Sequence, residues 1–226
     1  MELFPNVHWV QAGYANCYLC VEDDGLTLVD SGQPGRAELI FDAIRELGRQ
    51  PSDLKQILIT HADWDHAGSA ATIQEETGAT VYAGPQTTAL LLEGTPPDHL
   101  PFPLQFLMER FARFDPLPPE AVETVEDGDD LPVLEEITVL ATPGHTPDHH
   151  AFFSSKAGVL FAGDALATRG GRLGLPPRLG IGDVEQARRS ARRLLKLTPA
   201  LWACGHGEPL RDHTLRDMME LLQELR

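Results

Sequence analysis

Short apolar runs separated by polar or glycine-containing segments recur along most of this chain. Runs rich in valine, leucine and isoleucine, each bounded by turn-forming residues, are typical of β-strands. They predict strands at residues 7–12, 16–22, 26–29, 56–60, 80–83, 137–141, 159–162 and 200–204. Because the strands are short and alternate with helical segments, the pattern favours a layered α/β fold.

Apolar residues at helical spacing predict the helices. In residues 36–47, Ile40, Ile44 and Leu47 share one face, and Gly48 would end the helix. Asp183 is a good N-cap for a helix over 184–197. Further helices are predicted over 70–77 and 209–225.

Prolines break up residues 84–130, where residues 104–114 form the one clearly helical stretch. A proline-bounded, aromatic insertion of this kind is a candidate lid or substrate wall, and the alternative is an insertion that only covers the core. We expect residues 1–226 to form a single domain that contains this insertion.

Histidine and aspartate directly follow four of the apolar runs. The segment from Thr60 to Gly68 holds two histidines and two aspartates, His61, Asp63, Asp65 and His66. His145, Asp164 and His206 follow later runs in the same way. Strand ends that face the same way gather their loops on one rim of an α/β fold. Imidazole and carboxylate together suit zinc, iron or manganese, so the sequence predicts a metal site.

Each of these residues alone has an ordinary alternative, such as a solvated acidic loop or a turn. If the chain stays extended after the strand, His61, Asp63 and Asp65 point to one side. His66 then needs a turn, which Ala67 and the residues after it would supply.

Charge and cysteine content narrow the classes of protein that remain. The formal net charge of −16 repels polyanions and argues against a nucleic-acid partner. No signal peptide is visible at the start, and the apolar runs are too short to span a membrane, so we expect a cytoplasmic protein without a membrane partner. Three cysteines fit a reducing compartment. Cys17 and Cys20 have the spacing of a zinc or redox pair, but strand residues three apart face opposite sides, which favours ordinary buried thiols.

At this point the chain resembles the metallo-β-lactamase superfamily. The resemblance rests on five ordered motifs: Val29-Asp30-Ser31-Gly32, the segment from His61 to His66, Thr142-Pro143-Gly144-His145, Gly163-Asp164 and Gly205-His206-Gly207. It implies a four-layer αβ/βα sandwich and a pair of divalent metal ions. By motif position, it implies that one ion is held by His61, Asp63 and His145. The second would be held by Asp65, His66 and His206, with Asp164 bridging the two ions. Asp30 would support the site without binding metal.

One residue departs from the family pattern. The family usually has HxHxDH, and this chain has Asp63 in place of the second histidine. A carboxylate is a harder ligand than imidazole, which shifts the preference from zinc toward iron or manganese. Related flavodiiron proteins carry an acid at this place together with a flavodoxin domain, for which this chain has no room.

The first functional hypothesis is a hydrolase that acts on the carbonyl of an ester, thioester or lactone through a metal-bridging hydroxide. Asp65 would orient that hydroxide and pass a proton to the leaving group. The alternatives are a non-haem diiron protein acting on oxygen, nitric oxide or a persulfide, and a non-catalytic metal-binding sensor. The substrate is expected to be a small molecule, and the sequence does not indicate the oligomeric state.

Several other basic residues have secondary roles in this prediction. His149 matches a histidine that thioesterase-like and lactonase-like members carry outside the metal ligands, so we expect it to support the site. The arginines Arg169, Arg172 and Arg178 either face the site and favour an anionic substrate or lie in solvent. Three further histidines are expected at the surface: His8, His99 and His213.

Overall fold

The computed structural model describes residues 1–211 and 215–225 and forms two compact units. The first unit contains Met1–Pro97 and Phe102–Val125. The second contains Asp98–Pro101 and the chain from Glu126 onward. Each unit is built on its own mixed β-sheet. The expectation of a single domain stays a prediction.

A seven-stranded sheet, with its strands in sequence order, forms the first unit. Its strands are β1 (Glu2–Phe4), β2 (Val7–Gln11), β3 (Asn16–Val21), β4 (Leu26–Val29), β5 (Leu54–Leu58), β6 (Thr80–Ala83) and β7 (Val122–Thr124). The pairs from β1 to β4 are antiparallel, and those from β4 to β7 are parallel. The carboxyl ends of β4 and β5 therefore meet at one edge of the sheet, as the strand pattern predicts.

Five helices belong to the first unit: α1 (Ala37–Glu46), α2 (Trp64–Ala67), α3 (Ala70–Thr77), α4 (Pro85–Glu93) and α5 (Leu104–Phe111). Helix α1 contacts β2 and α3, and it buries Ile40 and Ile44 completely. The predicted bounds of α3 are confirmed. Helix α4 differs from the prediction that prolines break up this segment. Pro85 instead starts this helix, where a fixed φ and a missing N–H cost nothing, and Gly94 ends it at a φ of 65°.

The His61 to His66 segment is less extended than predicted. The chain already turns into α2 at Trp64, with the carbonyl of Asp63 accepting from the backbone N–H of His66 at 2.9 Å and of Ala67 at 2.8 Å. The expectation that Asp65 continues the alternation of His61 and Asp63 is therefore wrong. His66 lies within α2 itself, so its position does not depend on the turn that the sequence predicts at Ala67 and the residues after it.

A six-stranded sheet forms the second unit. Its strands are β8 (Asp130–Leu131), β9 (Ile137–Ala141), β10 (His150–Ser154), β11 (Val159–Gly163), β14 (Leu201–Cys204) and β15 (Leu210–Arg211), in the order β15-β14-β11-β10-β9-β8. A separate hairpin pairs β12 (Ala167–Arg169) with β13 (Arg172–Gly174). Strands β11 and β14 are parallel, and β10 is antiparallel to both β9 and β11. The carboxyl ends of β9, β11 and β14 thus lie at one edge.

Helices α6 (Val184–Leu195) and α7 (Leu215–Glu224) contact each other in the second unit. Asp183 caps α6 as predicted, since its side chain accepts from the backbone N–H of Gln186 at 3.0 Å. The helix predicted over 209–225 is wrong at its beginning, because Leu210–Arg211 pairs with β14 as strand β15. His213 lies outside the described residues.

The three cysteines are buried, free thiols. Burial raises the pKa of Cys20 and, more strongly than the nearby carboxylates of Asp30 and Asp65, that of Cys17. A raised pKa disfavours the thiolate that metal binding or redox chemistry requires. The preference for ordinary buried thiols is confirmed.

In the described part of the chain, no helix is long and apolar enough to cross a membrane. The aromatic rings of Phe102, Phe106 and Phe111 in the proline-rich insertion are exposed. Its role as a lid stays a prediction.

Candidate metal centre

Asp30, directly after β4, connects the polar network of the first unit, and this residue is only 2% exposed. Its backbone has a φ of 56°, a left-handed conformation that aspartate tolerates better than most residues. One carboxylate oxygen accepts from the backbone N–H of Thr60 at 2.9 Å. The other lies 2.7 Å from Nδ1 of His66. Asp30 thus connects the end of β4 to both ends of the histidine-containing segment.

This network assigns the proton of both imidazoles. Asp30 as a carboxylate only accepts hydrogen bonds, so Nδ1 of His66 carries a proton and donates it. The hydroxyl of Thr60 donates to Asp30, at 2.9 Å from Oδ2, and therefore accepts from Nδ1 of His61 at 2.9 Å. Both rings then present the lone pair of Nε2, which is the form of histidine that binds a metal.

The donor atoms of His61 and Asp63 have the spacing of two ligands on one ion. Nε2 of His61 lies 3.4 Å from Oδ2 of Asp63. This is longer than a typical hydrogen bond of about 2.7–3.2 Å. Two ligands at about 2.0–2.1 Å from a tetrahedral ion lie about 3.3 Å apart. The pair therefore fits a bound divalent ion better than it fits a direct hydrogen bond.

The second unit repeats this spacing around Asp164, which directly follows β11. Oδ2 of Asp164 lies 3.5 Å from Nε2 of His145 and 3.3 Å from Nε2 of His206. Asp164 and His145 are buried, while the His206 side chain is 35% exposed. One carboxylate between two imidazoles at ligand spacing fits an acid that binds metal on both sides.

His149 holds the backbone of Asp164 in place. Nε2 of His149 accepts from the backbone N–H of Asp164 at 2.9 Å. The proton of the ring is therefore on Nδ1, which donates to the hydroxyl of Thr142 at 2.8 Å. Since Nε2 is used by the backbone, His149 supports the site, as the sequence predicts.

Two glycines allow the loops of His145 and His206 to pack closely. A Cβ on Gly144 would lie 2.2 Å from the backbone nitrogen of Ala187 in α6. A Cβ on Gly207 would lie within 2 Å of the carbonyl oxygen of Thr168. Thr168 also donates its backbone N–H to the carbonyl of His206 at 3.0 Å. These contacts explain why glycine precedes His145 and follows His206.

His99 is not the surface residue that the sequence suggested. It is half-buried, and its ring centroid lies 5.3 Å from that of His145, with 55° between the ring planes. No strand-then-ligand pattern marks this position, because it lies between Pro97 and Pro101. Only its placement in the second unit brings it next to a predicted ligand.

A cleft of about 610 Å³ opens beside His206 in the second unit. Arg169 and Arg172 line it from opposite strands of the β12–β13 hairpin, where they are cross-strand partners. Arg172 also lies 3.6 Å from Glu220, and both side chains of this pair are solvent-exposed. Arg178 is not among the residues that line the cleft.

Comparison with known proteins agrees with this donor chemistry. The family model described as "Metallo-beta-lactamase superfamily" matches residues 10–206. The chain belongs to this superfamily, and the predicted α/β fold of metallo-β-lactamase type is confirmed. The family is metal-dependent and includes hydrolases that act on small molecules.

Individual relatives point the same way. A probable metallo-hydrolase of Bacillus subtilis, YflN, is 30% identical over 99% of this chain and 92% of its own. The hydroxyacylglutathione hydrolase GloC of Haemophilus influenzae is 31% identical over 92% of this chain and 90% of its own. Among solved structures, the Rm3 metallo-β-lactamase superposes with a TM-score of 0.74 at 26% identity, covering 91% of this chain and 77% of that one.

Proposed function

We propose that this protein hydrolyses an ester, thioester or lactone with the help of two divalent metal ions. The observation that carries the proposal is the ligand spacing of three donor pairs, at 3.3–3.5 Å, within the two units of a metallo-β-lactamase chain. Hydrolysis of a thioester is the reaction class to which the name of the Haemophilus relative belongs.

The proposed ligands are those implied by the family motifs. The first ion is assigned to His61, Asp63 and His145, and the second to Asp65, His66 and His206, with Asp164 shared. When bound, the ions would activate a water molecule and polarise the carbonyl group of the substrate.

The side chains of the protein then have distinct tasks. Asp30 and Thr60 keep His61 and His66 in the tautomer that exposes Nε2. His149 fixes the backbone of Asp164. Asp65 is only partly buried, and we propose that it orients the attacking water and transfers a proton toward the leaving group.

The arginine-lined cleft supports a substrate with an anionic group. A carboxylate matches two guanidinium groups on adjacent strands, because arginine presents its donors in a planar fork. His206 lines the same cleft, so an anion held there lies beside a proposed metal ligand. We therefore propose a carboxylate-bearing acyl compound as the substrate class.

A panel of matched neutral and carboxylate-bearing esters, thioesters and lactones tests the proposal with purified, metal-loaded protein. We expect Asp65→Asn and His145→Ala each to abolish hydrolysis while circular dichroism shows an intact fold. Arg178→Gln, outside the cleft, is the matched control and should retain the wild-type rate. Hydrolysis that persists in both site variants would refute the proposal.

The metal itself is a separate question, because Asp63 favours harder ions than a third histidine does. Elemental analysis of protein purified without added metal distinguishes a hydrolytic zinc or manganese centre from a diiron centre. Stoichiometric iron together with oxygen or nitric oxide turnover would support the redox alternative instead.

A further inference from the structure

We propose that His99 is an additional metal ligand, which binds the same ion as His145. This inference rests on the metal set proposed above. No family motif assigns a role to this position. His99 would supply an imidazole to the ion that has Asp63 where the family usually has a second histidine.

The geometry of the two rings carries the inference. Two imidazoles that bind one tetrahedral ion through nitrogen, at about 2.0–2.1 Å, have ring centroids about 5 Å apart. The centroids of His99 and His145 are 5.3 Å apart, and the rings are tilted by 55°. A ring nitrogen of His99 and one of His145 lie within 4.8 Å of each other, and the two belong to a group of side chains that could hold a metal ion.

The backbone around Gly182 fixes His99 beside His145. The N–H of Gly182 donates to the carbonyl of His145 at 3.1 Å. A Cβ on Gly182 would lie 3.1 Å from the Cβ of His99 and 3.2 Å from the carbonyl oxygen of His145. The absence of a side chain at Gly182 therefore lets His99 and His145 both approach this shared neighbour closely.

The sequence around His99 also suits a ligand. Pro97 and Pro101 restrict φ on both sides, so the short segment loses little conformational freedom when a ligand is ordered. His99 also lines a cleft of about 220 Å³ together with Thr146, whose hydroxyl is buried and has no hydrogen-bond partner in the described part of the chain. This cleft gives the ring access to small solutes from outside.

Most of the family has a histidine in the first metal site at the position that Asp63 occupies here. If His99 supplies a nitrogen, the first ion has two carboxylates, from Asp63 and Asp164, and three imidazoles. That donor set is compatible with zinc as well as with the harder ions, so the acid at position 63 no longer shifts the preference away from zinc.

Cobalt(II) serves as the spectroscopic probe. His99→Cys would place a thiolate on the ion and add a sulfur-to-cobalt charge-transfer band in the near ultraviolet. We expect no such band in the wild-type protein, because its three thiols are buried and burial raises the pKa of each. Leu100→Cys is the matched control, since Leu100 does not line the cleft, and it should add no band.

Chelator competition gives a second readout. We expect His99→Ala to weaken binding of one of the two ions by about 100-fold or more, since loss of supporting residues alone already costs 10–100-fold. Circular dichroism of the metal-free variant establishes that it folds. Unchanged affinity in His99→Ala together with no new band in His99→Cys would overturn the inference. A new band in a protein that hydrolyses nothing would uphold it while refuting the proposed function.

Discussion

Replacing Asp30 by asparagine tests the supporting network most sharply, because the change keeps the shape of the side chain and removes one acceptor. Asp30 accepts at one oxygen from the backbone N–H of Thr60 and at the other from Nδ1 of His66. In either orientation, the NH₂ group of an asparagine faces one of these donors. The backbone N–H cannot change, whereas the imidazole can move its proton to Nε2.

The expected consequence is a change in the tautomer of His66. Nδ1 then becomes the acceptor for the new NH₂ group, and the proton on Nε2 blocks the atom that would bind metal. Loss of a partner that orients a metal-binding histidine typically costs about 10–100-fold in metal affinity. That range corresponds to about 1.4–2.7 kcal/mol of binding free energy.

The stability of the metal-free protein should fall as well. A buried, charge-assisted hydrogen bond of 2.7 Å is replaced by a neutral one, which should lower the free energy of unfolding by about 1 kcal/mol. Asp30→Ala leaves both donors buried without an acceptor and should cost more, about 3–5 kcal/mol.

Three measurements check these values. Nitrogen-15 spectra of the imidazoles report the tautomer, chelator competition reports metal affinity, and urea unfolding of metal-free protein reports stability. Asp42→Asn on the exposed face of α1, where Asp42 pairs with Arg45 at 2.8 Å, is the control and should leave metal affinity unchanged. Wild-type metal affinity in Asp30→Asn, with Nδ1 of His66 still protonated, would refute the reasoning.

Further predictions concern the loops, the cleft and the thiols. Gly207→Ala should destabilise the protein by several kcal/mol and weaken metal binding, because the residue has a φ of 84° and its Cβ would meet Thr168. Gly171 is the control, since it has a φ of 73° but open space around it. Gly171→Ala should cost only about 1 kcal/mol, as measured by urea unfolding. Combined replacement of Arg169 and Arg172 by glutamine should lower kcat/KM about tenfold for a carboxylate-bearing ester. The kcat/KM for the neutral analogue of this ester should stay unchanged. An equal loss for both esters would contradict the anionic-substrate proposal. The three thiols should not react with a thiol-specific reagent at neutral pH in the native state, since burial raises the pKa of each. All three should react after unfolding. Rapid labelling of the folded protein would contradict this prediction.

The local pattern of the sequence determined those helices and strands whose bounds do not depend on contacts with distant residues. The bounds of α3 and β6 follow directly from apolar spacing and flanking turn residues. The same pattern also predicted the proposed donor residues, because the histidine or aspartate follows its strand within a few positions. It failed at α4 and at β15, where a proline can start a helix and two residues become a strand only by pairing with a distant one.

The tertiary structure alone decided how the donors are supported. Asp30 meets His66 across 36 positions of the chain, and His149 meets the backbone of Asp164 across 15. Neither pairing has a spacing rule, because each depends on which strands are neighbours in a sheet. The place of His99 beside His145 is the clearest case, since two prolines and a surface-like context gave no sign of it. Sequence fixes the chemistry that each loop carries, whereas the packing of strands and loops selects which of those groups meet.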